Sequence, residues 1–503
     1  MQGGRPTREQ LIKLARTDPE AIADLVLALW DRVEALEAKV AAMERNSRNS
    51  SKPPSSDRGN FGNSPKPKSS RTRSGRRPGG QSGHQGNTLL QVAHPDKIVV
   101  HHFGPGVVCP KCGETLDVGD LLVAGASTDC VCAACEKRQV FELPAIRIEV
   151  TEHQAEKCQC PNCGETITAA FPEGVNAPVQ YGPNLQATGL YLGGYQLIPY
   201  QRLGEIFSDL FGCRLSGGTL ANFVKRGGHQ AAKPVDCIRE SLRHGPLMHC
   251  DETGCRLHGK RHWLHVASTD KLTCYHIDEK RGRQALENFG LLTGYQGHAV
   301  HDFFSTYLTF EECTHGLCNA HLLRELTYLH EDLDQEWAGG MIALLLDAKR
   351  LRKREDERDA GSRRIIGERT RQRIRERYGQ LLHEGFEHNP EPKSPPPGTR
   401  GRPARGKSLN LLKRLEERYE QIMGFFEHEC VPFDNNQAER DLRMMKVREK
   451  ISGSFRSAAN AKAFCDLRSI ISTTRKQSRS IIGCLTELFH SPGKLGKMLA
   501  KTT

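Results

Sequence analysis

The chain has 503 residues, which is too long for one ordinary domain and predicts at least three folded units. It carries 72 Lys and Arg against 60 Asp and Glu, and the net charge of +12 favours a polyanionic partner. No stretch approaches the roughly 18 apolar residues of a membrane span, and residues 1–20 lack the apolar core of a signal peptide. These features argue against membrane and secreted proteins. We expect a cytosolic protein whose 18 cysteines stay reduced and bind metal where they cluster.

A heptad pattern runs through residues 20–45. Apolar residues recur there at alternating steps of four and three, and charged residues occupy the other faces. The pattern predicts a short coiled coil within residues 1–45, and hence a homo-oligomer. A single amphipathic helix packed on its own chain would show the same pattern. The apolar positions are Ile22, Val26, Leu29, Val33, Leu36, Val40 and Met43.

Residues 46–90 are rich in Ser, Pro, Gly and Asn. They contain many basic residues and a single acidic residue, Asp57. Such a segment cannot bury enough apolar surface to fold alone, so we expect a disordered basic linker. It would serve either as a solvated connection or as an arm along DNA phosphates. The candidate DNA contacts in this arm are Arg71, Arg73, Arg76 and Arg77.

Two matching Cys-Pro-x-Cys-Gly motifs occupy residues 109–113 and 160–164. Each predicts a tight turn that presents two thiolates, with a glycine where the backbone must bend. The four thiolates would complete a tetrahedral structural Zn²⁺ site, so residues 91–175 predict a zinc ribbon, with further strands near 138–141 and 146–150. The predicted ligands are Cys109, Cys112, Cys160 and Cys163. Four more cysteines leave the ligand set open, namely Cys130, Cys132, Cys135 and Cys158.

Residues 176–243 have the apolar spacing of helices. They predict a helix over 200–211, a turn at Gly212 and a second helix that Ser216 or Thr219 would cap. Two helices joined by a glycine-containing turn are the pattern of a DNA-binding helix-turn-helix, although many helical hairpins of this kind never touch DNA.

From residue 244 the pattern changes to short strands, which predict an α/β core with a mixed sheet and flanking helices. The predicted core covers residues 244–334 and 431–460. Charge-dense helical sequence with a basic, Pro-rich loop interrupts it over 335–430, and residues 461–503 predict a helical tail. The predicted strands are 247–250, 262–267, 272–277 and 298–301, and the predicted helices are 284–292, a helix from residue 319, 409–426 and 437–450.

Three acidic residues mark a candidate catalytic centre. Asp251 and Asp302 each end a predicted strand, and neighbouring strands would bring both carboxylates to one edge of a sheet. Glu439 lies near the start of a helix for which Asp434-Asn435-Asn436 offers natural N-cap residues. Carboxylates at such an edge can hold two Mg²⁺ ions, which catalyse phosphodiester hydrolysis and transfer. The alternative is that these are ordinary strand-end and helix acids.

Residues near these acids bear on whether they are catalytic or ordinary strand-end and helix acids. Glu252 is a rival ligand beside Asp251, but strand alternation predicts that its side chain points to the other face. Arg443, Lys446 and Lys450 follow Glu439 along one face of its helix, where they could lie along a DNA strand. Glu439 with Arg443 is also an ordinary helix ion pair.

Several stretches resemble the transposase of the insertion-sequence-66 family. They are Asp251-Glu252-Thr253, the strand ending in Asp302 with Tyr307 behind it, residues 318–325 and residues 435–443. The zipper-like start, the linker around residues 49–57 and the cysteine motifs resemble that family as well. The resemblance implies a ribonuclease-H-like catalytic core with a DDE triad at Asp251, Asp302 and Glu439, and a helical insertion matching 335–430. Cys318 and His321 match a Cys-x-x-His of the family. We do not assign them as ligands, because a buried thiol and a helix-start histidine explain the spacing equally well.

The resemblance also implies a function. We expect a bacterial DNA transposase that binds the terminal inverted repeats of its element and target DNA, cleaves the ends with Mg²⁺ or Mn²⁺ and joins the freed 3′-hydroxyls. Arg440, Arg443 and Lys446 are the expected DNA contacts, and accessory proteins of the same element are further candidate partners. The expected location is the bacterial cytoplasm, at the nucleoid. The alternatives are a nuclease on the same fold that cuts without joining, and a non-catalytic, zinc-containing DNA-binding regulator.

Overall fold

The computed structural model of this protein describes most of the chain beyond residue 89 and a few helical residues near the start. The described residues are 12, 15–20, 22–24, 26–27, 89–101, 106–108, 110–116, 137–144, 146–358, 365–392 and 406–501. They belong to two compact units, Lys66–Glu149 and the combination of Met1–Pro65 with Val150–Thr503. The predicted heptad beyond residue 27 lies outside the described residues, and so do Arg71, Arg73, Arg76 and Arg77.

In the unit Lys66–Glu149, a short antiparallel hairpin pairs β1 (Val107–Val108) with β2 (Thr115–Leu116). The strands predicted at 138–141 and 146–150 are wrong, because the backbone there is irregular and pairs with no strand in the part of the chain that the structure describes. Val140 and Val150 are 89% and 87% exposed. Strand propensity alone does not form a strand where no neighbouring strand accepts and donates its backbone hydrogen bonds.

The larger unit begins with a second hairpin, β3 (Lys157–Gln159) with β4 (Thr166–Thr168), followed by helices. Helix α1 (Pro183–Leu190) continues into one π-helical turn, Tyr191–Tyr195, and α2 (Tyr200–Phe211) and α3 (Gly217–Arg243) follow. Gly212 directly follows the last residue of α2, and its left-handed backbone, with a φ of 62°, terminates the helix. The Ser216 hydroxyl accepts a hydrogen bond from the Thr219 N–H and so caps α3. The predicted helix over 200–211 and the cap at Ser216 are confirmed.

Five strands form the mixed sheet of the larger unit, namely β5 (Leu247–Leu257), β6 (Lys260–Ser268), β7 (Thr273–Asp278), β8 (His298–His301) and β9 (Thr314–Leu317). Their order across the sheet is β7-β6-β5-β8-β9, and only β6 runs against the other four. Helix α4 (Arg283–Phe289) connects β7 to β8. This sheet with its flanking helices confirms the predicted α/β core.

After β9 the chain enters a helical region with its own apolar core. Trp337, Tyr378 and Phe426 are buried in this core, which also includes Val300 of β8. The predicted single helix over 409–426 is two helices that meet at Arg418, and the Tyr378 hydroxyl donates to the Leu415 carbonyl just before that break. The helices are α5 (Asn319–Leu333), α6 (Glu336–Asp356), α7 (Glu368–His388), α8 (Lys407–Glu417) and α9 (Tyr419–Glu427).

Four helices complete the chain: α10 (Asn436–Ser452), α11 (Ala458–Lys476), α12 (Ile481–His490) and α13 (Pro492–Ala500). Helix α11 covers β7, one of the two edge strands of the sheet. The Thr473 and Ser469 hydroxyls accept the outward backbone N–H groups of Thr273 and Tyr275, each at 3.0 Å. These bonds use the hydrogen-bonding groups of an edge strand that would otherwise be free to pair with another chain. None of the described helices is long and apolar enough to cross a membrane.

Candidate active site

Asp251 and Asp302 lie on neighbouring parallel strands. His249 of β5 is paired with Val300 of β8, so continuing this register by two residues brings Asp251 level with Asp302. Residues two apart on a strand point to the same face, so both carboxyls lie at the same end of the paired strands and on the same face of the sheet.

The prediction that a strand ends at Asp251 is wrong. Strand β5 continues to Leu257, paired with β6 as far as Lys260. The neighbour on the other side, β8, stops at His301, so Asp251 lies just beyond the point where the parallel pairing ends. Asp251 therefore has no paired residue of β8 beside it, although β5 itself continues past this position.

Glu252 points away from Asp251, as strand alternation predicted, and forms a buried ion pair. Its Oε1 accepts hydrogen bonds from Arg281 at 2.7 and 2.6 Å, and its Oε2 accepts one from the Tyr307 hydroxyl at 2.5 Å. The Arg281 guanidinium lies over the Phe304 ring at 4.0 Å. Because Phe304 and Tyr307 follow Asp302 in the chain, these contacts attach the loop of the second aspartate to the strand of the first.

Asn435 connects helix α10 to strand β5. Asn435 is the N-cap residue of α10, but its side chain makes no cap bond, and the Asp434 carboxylate accepts the Asn436 N–H at 3.2 Å instead. The Asn435 amide donates to the Cys250 carbonyl at 2.7 Å and accepts from His249 Nδ1 at 2.8 Å. Its backbone N–H donates to the Cys318 sulfur at 3.1 Å. Asn435 is buried, and its bonds bring the first turn of α10 against the strand that carries Asp251.

Glu439 lies in that first turn, beside His321 of α5 and Cys318, the N-cap residue of α5. The ligand atoms of Cys318, His321 and Glu439 all lie within 4.8 Å of one another, and His321 Nε2 is 3.8 Å from Glu439 Oε1. The Cys-x-x-His spacing does not by itself identify ligands, because a buried thiol and a helix-start histidine explain it equally well, and nothing in the sequence brings α10 against the start of α5. Among the described residues this is the only group of three metal-ligand side chains so close together, and Asp251 and Asp302 are not part of it.

The acidic residues of the site influence one another's ionisation. Burial raises the pKa of Asp251 well above its usual range, and the charges of Glu252, Asp302 and Glu439 raise it further. Burial, together with the charge of Glu252, raises the pKa of Asp302 to about 7. Burial also raises the pKa of Glu439, against the opposing charge of Arg324. The carboxyls are thus close enough to repel each other, and a cation among them would relieve that repulsion.

Residues 178–463 match the family model described as Transposase IS66 family, and this span includes Asp251, Asp302 and Glu439. The chain belongs to the IS66 transposase family. The predicted resemblance is therefore confirmed, and the protein is a transposase that binds and processes DNA. Residues 6–89 match a family of unknown function (DUF6444), and a search of curated proteins found no match.

Three of the predicted DNA contacts of this IS66-family transposase lie along α10. Arg440 and Arg443 are exposed, and the charge of Arg443 acts on Glu439. Lys446 is half-buried, and its ammonium donates to the Gly254 carbonyl of β5 at 3.0 Å. Helix α10 thus presents two exposed guanidinium groups, of which that of Arg440 donates to Gln437 Oε1 at 2.8 Å, whereas its third predicted contact attaches the helix to the sheet.

The cysteine motifs of the transposase form two turns of similar shape. Cys112 lies in the turn between β1 and β2, Cys160 and Cys163 lie in the turn between β3 and β4, and Cys109 lies outside the described residues. Gly113 and Gly164 have left-handed φ values of 78° and 74°, so the predicted glycine bends are confirmed. Backbone N–H groups of Cys163 and Asn162 lower the pKa of Cys160, which favours the thiolate that binds metal.

Proposed function

We propose that this transposase is a DDE enzyme on a ribonuclease-H-like core, with Asp251, Asp302 and Glu439 as its catalytic carboxylates. The observation that carries the proposal is the convergence of three elements. Parallel β5 and β8 present the two aspartates at one sheet edge, and Asn435 holds the first turn of α10 against the same strand. The mixed sheet, in which only β6 runs against the other strands, is compatible with that core.

The carboxylates are suited to divalent metal. Burial raises the pKa of both Asp251 and Asp302, neighbouring carboxylates raise it further, and Glu439 Oε1 is buried without a hydrogen-bond partner. Such an orphaned anionic oxygen costs free energy unless a cation or donor meets it. Hard oxygen ligands of this kind suit Mg²⁺ or Mn²⁺. Bound there, the metal would stabilise the charge on the attacking and leaving oxygens of an in-line phosphodiester displacement.

The protein's own groups would position the reactants. Asp251 and Asp302 would hold the metal from the rigid sheet, and Glu439 would complete its ligand set from α10. Arg324 and Arg443, whose charges act on Glu439, would bind DNA phosphates beside the reacting one. The Glu252–Arg281–Tyr307 contacts would keep the two aspartates at a constant separation, since they join the strand of one to the loop of the other.

The remaining assignments complete the proposal. Cys109, Cys112, Cys160 and Cys163 would hold a structural Zn²⁺, and Arg440, Arg443, Lys446 and the basic linker with Arg71, Arg73, Arg76 and Arg77 would contact DNA. The substrates would be the terminal inverted repeats of the element and a target duplex, bound by an oligomer that the N-terminal heptads assemble. End cleavage would free 3′-hydroxyls, and strand transfer would join them to the target.

The test is cleavage and strand transfer by the purified full-length protein on its own element ends with Mg²⁺ or Mn²⁺. Asp251→Asn, Asp302→Asn and Glu439→Gln should each abolish both reactions and leave DNA binding intact. Asp270→Asn, an exposed aspartate in the turn between β6 and β7, is the control and should keep wild-type activity. Wild-type activity in any of the three site variants would overturn the triad. Cleavage without joining would identify a nuclease, and binding without cleavage a regulator.

A further inference from the structure

We propose that Cys318, His321 and Glu439 form a zinc site that shares its carboxylate with the Mg²⁺ centre, so that bound zinc inhibits the transposase. The shared carboxylate makes this inference rest on the proposed function. The zinc site itself is defined by side chains that the catalytic mechanism leaves unused, namely a thiol and an imidazole at the start of α5.

Two elements bring these ligands together. Cys318 is the N-cap residue of α5 and His321 lies in its first turn, so the three-residue spacing places both on one side of the helix. Helix α10 contributes Glu439 from its own first turn, and the Asn435 N–H donates to the Cys318 sulfur. The three ligand atoms are within 4.8 Å of one another. A tetrahedral zinc ion needs its ligands roughly 3.3–3.7 Å apart, so a side-chain shift of about 1 Å would close the site.

The burial of the group points to a ligand. Cys318 is fully buried, and His321 is only 8% exposed. His321 Nδ1 and Glu439 Oε1 are buried, and neither has a hydrogen-bond partner. Buried polar atoms normally have partners, and the orphaned Glu439 oxygen lies 3.8 Å from His321 Nε2, so this oxygen marks a place that a bound cation would satisfy. The Glu439 side chain is 29% exposed, which leaves a route for an ion and a fourth position for water.

The chemistry of the ligands selects the metal. A thiolate, an imidazole and a carboxylate suit zinc, whereas Mg²⁺ binds oxygen ligands and does not take a thiolate. On binding, the Cys318 thiol would release its proton to solvent and the sulfur would bond to the ion, with no change of oxidation state. The Glu439 carboxylate would then bond to zinc instead of completing the Mg²⁺ ligands, and cleavage would stop until zinc is removed.

The experiment counts zinc and does not depend on activity. Full-length wild type, Cys318→Ser and His321→Gln are dialysed to equilibrium at the same buffered free Zn²⁺, and bound zinc is measured per chain. The serine hydroxyl still accepts the Asn435 N–H, so this variant keeps the local fold. We expect each variant to bind one zinc fewer than wild type, with at least a 10-fold loss of affinity at that site, because even outer contacts of a metal site change affinity about 10–100-fold.

Cys484→Ser is the matched control, because this cysteine is also buried but lies on α12, outside the cluster. It should bind as much zinc as wild type. The cysteines of the two Cys-Pro-x-Cys-Gly motifs are present in all four proteins, so any zinc that they bind adds equally to each measurement. Equal zinc in wild type and both site variants would overturn the inference.

A second readout tests the sharing of Glu439. Zinc added to the Mg²⁺ cleavage reaction should inhibit wild type, and inhibition of Cys318→Ser should need at least about 10-fold more zinc. Identical inhibition of both proteins would refute the shared carboxylate. An extra zinc in a protein that cannot cleave DNA would refute the proposed function and leave the zinc site standing.

Discussion

Glu252 offers the sharpest test of how the two aspartates are held. Its side chain is 1% exposed, and it accepts two hydrogen bonds from Arg281 and one from the Tyr307 hydroxyl. Removing one partner of a buried ion pair costs about 3–5 kcal/mol, because the other charge stays buried. The Arg281 side chain is 37% exposed, so water would partly solvate it. We therefore expect Glu252→Ala to lower the free energy of unfolding by about 3 kcal/mol.

The milder variant, Glu252→Gln, keeps an oxygen that can accept one of the bonds, so its loss should be about 1–2 kcal/mol. Both losses are measured by urea unfolding of the full-length protein, followed by circular dichroism. Glu279→Gln is the control, since the Glu279 side chain is 84% exposed, and it should stay within about 0.5 kcal/mol of wild type. If Glu252→Ala unfolds at the same urea concentration as this control, the ion pair does not hold the site and the reasoning is refuted.

Three further predictions concern pH, the contacts of α10 and helix packing. Without divalent metal, the free energy of unfolding should fall as pH rises from about 4 to about 7. The reason is that the folded protein keeps a proton on Asp302 over this range, whereas the unfolded chain loses it near pH 3.8. Asp302→Asn should reduce this pH-dependent loss by at most ~4 kcal/mol, measured by unfolding at several pH values. Asn435→Ala should cost about 1–3 kcal/mol and slow cleavage at unchanged DNA affinity, whereas Asn436→Ala should do neither. Gly228→Ala should lower the melting temperature because α11 packs directly against this position, while Gly379→Ala, with open space around it, should leave it unchanged or raise it.

Local rules accounted for much of the candidate site. Alternation along β5 correctly separated Asp251 from Glu252, and the strand ending at His301 correctly positioned Asp302. The glycines after the cysteine motifs have the left-handed backbone that their turns require. These features depend on residues that are neighbours in the chain, where periodicity and steric limits on the backbone are enough to decide the structure.

Long-range contacts decided the rest. Asn435 looked like a helix cap, but its side chain bonds to β5, which lies far from it in sequence. The strands expected at 138–141 and 146–150 did not form, since a strand needs a partner and propensity does not supply one.

The amino-acid sequence by itself determined the family and the α/β core and predicted three candidate acidic residues, because motif spacing and hydrophobic period are properties of short segments. Only the tertiary structure decided which side chains share a site. Glu439 meets Cys318 and His321 because α10 packs beside the start of α5, after a helical region that separates the two in the chain. Packing of this kind depends on the shapes and hydrogen bonds of several elements at once, so it cannot be read from any one of them.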